Sequence, residues 1–62
     1  MNDITINVTF TDAEAWQYAQ FLKRVGLGDY LEKATTQDEA YTMVAAGEKL
    51  REALRVHGYS PR

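Results

Sequence analysis

Few residues in this sequence could do chemistry. His57 is its single histidine and there is no cysteine. That removes disulfides and thiolate metal sites together, and one imidazole falls short of the several N or S ligands of a transition-metal site. Two carboxylate pairs stand close in sequence, Asp38/Glu39 and Glu48/Glu52. The first lies in Thr36-Gln-Asp-Glu39, which reads as a helix-starting capping box. The second is interleaved with Lys49, Arg51 and Arg55 at the i,i+3 and i,i+4 spacings of ion pairs on a solvated helix face. "GLG" at 26–28 lacks the lysine and the preceding strand of a phosphate loop. His57 falls at the end of a helical pattern, where the helix dipole favours a cationic packing or capping residue. No set joins nucleophile, base and orienting group, and 62 residues leave little room for a pocket. The expectation is a non-enzymatic protein with no cofactor and no metal.

The elements that must position everything else read as follows. "DITINVTF" alternates: Ile4, Ile6, Val8 and Phe10 point one way, and Asp3, Thr5, Asn7 and Thr9 the other. This spacing predicts a half-buried strand over about 3–10. Thr11-Asp-Ala-Glu14 is a capping box that starts a helix over about 12–25. Its apolar stripe is Ala15, Tyr18, Ala19, Phe21, Leu22 and Val25. "GLGDY" breaks it, with Gly26 as a left-handed stop and Asp29 as cap of a short turn, "YLEKA". A long helix over about 37–57 follows, with the stripe Ala40, Met43, Ala46, Gly47, Leu50, Ala53, Leu54 and His57. Gly58 and Pro61 end it. Gly47 inside that stripe costs ~1 kcal/mol relative to Ala, which close approach of another element would explain.

The expected fold is therefore α+β: one N-terminal β-strand and two main α-helices (β-α-α) in a single small domain, 1–62. A lone strand leaves its backbone groups unpaired, and "VHGYSPR" is a poor partner. Pairing would come from the same strand of a second copy, as a homodimer, or from a sheet edge on another protein. A domain this small is marginal alone, which again argues for association. The initial Met1 fits a short complete reading frame without a secretory leader. No apolar run reaches the ~18 residues of a membrane span. The absent cysteines fit the cytoplasm. The net charge of −2 is uneven: residues 1–22 hold Asp3, Asp12 and Glu14 without Lys or Arg, whereas 49–62 are basic. Such a dipolar chain is not a general polyanion binder.

Two resemblances bear on function. A strand followed by helices and completed by dimerisation, over residues 3–25, resembles the ribbon–helix–helix repressors. The resemblance implies a dimeric DNA-binding transcriptional regulator, with Thr5, Asn7 and Thr9 facing base edges. The extra segment "LGDYLEKATT" and the lack of a cation on that face depart from it, since phosphate contacts supply most DNA affinity. "AQFLKRVGLGDY", "DEAYTMVAAGEKLREAL" and "HGYSPR" are similar to small uncharacterised proteins of bacteria and their phages or prophages. That likeness implies an accessory protein that binds and inhibits or modulates a host protein.

The aromatic residues favour this second reading. Trp16, the only tryptophan, lies about 120° off its helix stripe by helical geometry, beside Asp12, Gln20 and Lys23. Tyr41 is likewise off-stripe. One Trp and four Tyr against two Phe is an interface-like choice. The candidate protein-interaction residues are Trp16 and Tyr41, with Ile6 and Val8 on the strand.

Overall fold

Thr11 sets where regular structure begins. In a computed structural model describing residues 2–62, its hydroxyl accepts from the Glu14 N–H at 3.1 Å and the Glu14 carboxylate accepts from the Thr11 N–H at 2.8 Å. Both halves of the capping box are made, and α1 spans Asp12–Arg24. It ends at an extended Val25. Gly26 does not take the left-handed conformation expected of it: φ is −115° and it serves instead as the N-cap of α2, Leu27–Lys33. The Asp29 carboxylate reaches back to the Gly26 N–H at 2.8 Å, so Asp29 caps this helix from its first turn rather than from before it. α3 spans Gln37–Val56. Thr36 caps it through the Glu39 N–H at 3.1 Å, while Glu39 accepts one residue further out, from the Thr35 N–H.

The end of α3 is specified by Gly58, whose φ of +96° is the one positive value among the described residues. The Tyr59 N–H donates to the Leu54 carbonyl at 2.9 Å and the Gly58 N–H to the Arg55 carbonyl at 3.0 Å. These two bonds are the Schellman pair, and they turn the chain back so that Tyr59 packs on the core beside Leu54.

The expected strand is absent. Residues 2–10 form no helix or strand, and the described chain is all-helical, not α+β. A strand exists through its ladder, and the described residues offer no second edge. The tail that could have supplied one is bent at Gly58 and interrupted at Pro61. The alternation of Ile4, Ile6 and Val8 is real, but their side chains lie in solvent, 79%, 70% and 62% exposed.

α3 is the central element. α1 and α2 each pack on it and not on one another. The core is small: Ala15, Ala19 and Leu22 of α1 meet Leu54 of α3, with Leu50 and Tyr59 packed against them. Leu22 and Leu54 are its two large buried side chains.

Candidate functional site

The apolar stripes read from the sequence are wider than the core they build, and the remainder makes a surface. On α1 the buried positions are Ala15, Ala19 and Leu22, whereas Tyr18 is 43% and Phe21 50% exposed. The Tyr18 and Phe21 rings pack on each other, centroids 5.3 Å apart and tilted by 30°. On α3, Met43, Gly47 and Leu50 are half-buried. Because α1 and α2 do not meet, these residues line an open groove of about 900 Å³ whose floor is α3 and whose walls are α1 and α2. Tyr18, Phe21 and Val25 form one wall and Tyr30 the other. Ala46 and Gly47 give the floor its depth. Gly47 is small for a reason: a Cβ there would collide with the Tyr30 hydroxyl and touch Leu22. The groove also carries Arg24, Lys33 and Asp29.

A second surface lies where the tail crosses α1. Tyr59 meets Trp16 edge-on, centroids 5.1 Å apart at 74°, and its hydroxyl donates to the Asp12 carboxylate at 2.7 Å. That bond holds the Tyr59 phenol above its ordinary value, since ionisation would set two anions face to face. Trp16 is thus braced by its own chain from one side, yet it stays 40% exposed. Ridge charges on α3 are internally paired. Arg55 makes two bonds to Glu52, 2.7 and 2.8 Å, and Arg51 approaches Glu48 at 3.9 Å. The Arg55 guanidinium lowers the Glu52 carboxyl and is itself raised. Both pairs are solvated, and such pairs contribute little.

The structure does not gather the sequence-predicted residues into one cluster. Trp16 joins Tyr59 and Asp12. Tyr41, 49% exposed, sits on α3 and accepts from the Gln37 side chain at 3.1 Å. Ile6 and Val8 lie in the N-terminal arm, as do the exposed Thr5, Asn7 and Thr9, which have no ribbon to present them. Sequence reasoning missed the roles of Tyr59, Tyr18, Phe21 and Tyr30. Gly58 was the available signal for Tyr59, because a Schellman stop returns the following residue to the helix it ends. Among the described residues no group of three His, Asp or Glu side chains could hold a metal ion, and no helix is long and apolar enough to cross a membrane.

A family model matches residues 1–62, the whole chain. The chain belongs to DUF7706, a family of unknown function. No curated protein and no solved structure matches it. Membership therefore fixes kinship and leaves activity to the surfaces described above.

Proposed function

We propose that this protein is a non-catalytic interaction module, a cytoplasmic accessory protein of the phage or prophage kind that binds a host protein and modulates it. The observation that carries the reading is Trp16. Its ring is fixed by an edge contact to Tyr59, and Tyr59 is fixed in turn by its bond to Asp12 and by the Schellman turn, yet the ring remains 40% exposed. A rigid, half-exposed indole loses little conformational freedom on binding and carries both apolar area and an N–H donor. Such residues dominate protein interfaces. Exposed Tyr41 supplies further apolar area.

The alternative, a ribbon–helix–helix regulator, has lost the strand it required, and no cation stands among residues 2–10 to replace it.

Affinity capture from host lysate tests the proposal, with Trp16→Ala and Trp16→Phe run beside the wild type. A partner retained at 1:1 by the wild type and lost by Trp16→Ala, while far-UV circular dichroism is unchanged, supports the reading. Retention of the same proteins by both contradicts it.

A further inference from the structure

The groove between α1 and α2 and the N-terminal arm are two halves of one contact. We propose that the arm of one protomer, residues 2–10, seats in the groove of a second copy, and that the exchange is mutual in a two-fold dimer. This goes beyond the host-binding reading and does not involve the Trp16 corner.

Three observations commit the groove to this occupant. The first is apolar complementarity. The arm leaves Ile4, Ile6 and Val8 in solvent at 79%, 70% and 62% exposure, and the groove leaves Phe21 and Tyr18 half-exposed beside Met43 and Leu50. Both surfaces belong to the same 62-residue chain, so every copy brings one of each. Ile4, Ile6, Val8 and Phe10 recur at every second residue, so an extended arm turns all four to one side, which suits a one-sided trough.

The second is charge. The groove carries Arg24 and Lys33, and among the described residues neither is in an ion pair; the pairs formed are Arg51–Glu48 and Arg55–Glu52. Asp29, the groove's acid, is engaged with the Gly26 N–H. The arm carries Asp3 and no Lys or Arg. A segment whose one charged side chain is an acid, entering a trough whose side chains sum to +1, is the favourable sense.

The third is reach. Nine extended residues span about 30 Å at ~3.3 Å each, longer than the roughly 20 Å of the 13-residue α1 that walls the groove. The arm is long enough to leave its own helices, and the exposure of Ile4, Ile6 and Val8 shows that this stretch is not seated on them. Mutual exchange gives two identical seats, the isologous arrangement of a two-fold dimer. It requires no strand ladder, because the contact runs through side chains.

The test uses two full-length variants whose substitutions lie at exposed positions: Ile6→Asp in the arm and Phe21→Glu in the groove. Mass by sedimentation equilibrium should show a wild-type dimer at ~100 μM. One lost hot spot weakens association about 30-fold, and a two-fold dimer contains the seat twice, so each variant should dissociate roughly 1,000-fold more readily. Mixing the two variants is the decisive arm. The Phe21→Glu chain still has a wild-type arm, and the Ile6→Asp chain still has a wild-type groove. In the mixed dimer both substitutions fall in the same seat, which either one alone already empties, so the other seat is intact and the heterodimer should be ~30-fold tighter than either homodimer. Unchanged circular dichroism confirms that each variant folds. A monomeric wild type overturns the proposal, whether the arm is free or folds onto its own groove. So does a dimer indifferent to Ile6→Asp, or a mixture no tighter than its components. The host-capture result with Trp16→Ala stands or falls separately.

Discussion

Replacing Gly58 by Ala isolates the turn that delivers Tyr59 to Trp16. Its φ is +96°, and a Cβ added there would meet nothing within 4 Å. The cost is thus backbone strain alone, without a clash. Left-handed backbone costs a non-glycine L-residue ~1–2 kcal/mol. Alanine also restricts the unfolded chain, which offsets ~0.4–1 kcal/mol. The net loss should be about 1 kcal/mol. A 62-residue domain holds roughly 3–9 kcal/mol by the usual per-residue range, so this is a large fraction. Thermal unfolding followed by circular dichroism should show Tm falling by ~4–8 °C. Chain synthesis permits the matched control, D-Ala at 58, which accepts positive φ and keeps the entropic gain. Its Tm should equal or exceed that of the wild type. Tryptophan emission should shift to the red in the L-Ala protein below its Tm, as Tyr59 loses its fixed approach to Trp16. An L-Ala protein as stable as the wild type would refute the reasoning, as would equal losses for L-Ala and D-Ala.

Gly47→Ala should be near neutral by itself, because the ~1 kcal/mol helix gain is cancelled by displacing the Tyr30 hydroxyl. In a Tyr30→Phe background the same change should stabilise by about 1 kcal/mol, and a urea double-mutant cycle reads the coupling. Thr11→Ala removes the fully formed capping box of α1 and should cost ~1 kcal/mol in the same assay. Tyr59 titrates above its ordinary value of 10.0 because its proton is held by Asp12. A group raised on folding contributes stability that is present below its unfolded value and lost as pH climbs through the folded one. Tm of the wild type should therefore fall more steeply above pH 10 than that of Tyr59→Phe; equal slopes would show that the bond to Asp12 contributes nothing.

Helices were legible in this sequence because their signals are local. Thr11/Glu14, Thr36/Glu39 and Gly58 each act within a few residues, and the two long helices begin and end within a residue or so of where those signals placed them. Two local signals misled. Gly26 resembled a helix stop but serves as an N-cap, because Asp29 competes for its N–H. The alternation over residues 3–10 states which side chains share a face if the segment is extended; it cannot supply the second edge a strand requires, and the described residues form none. The candidate site was harder to see. Trp16 was visible as an off-stripe indole, but its brace, Tyr59, lies more than forty residues away and arrives only through the Schellman turn. The groove was hidden inside stripes that looked like core. Periodicity marks Tyr18, Phe21 and Leu50 as apolar; only packing reveals that α1 and α2 fail to meet over α3.

The claim that this chain works by binding through its braced indole is tested most directly by the affinity of the captured partner. Titration calorimetry of that partner should give a dissociation constant at least ~30-fold weaker for Trp16→Ala, the loss expected of a hot-spot truncation. Trp16→Phe, which keeps an edge contact to Tyr59 but loses the indole N–H, should fall between. The account is contradicted if wild type and Trp16→Ala bind the partner equally while sharing the same helical content.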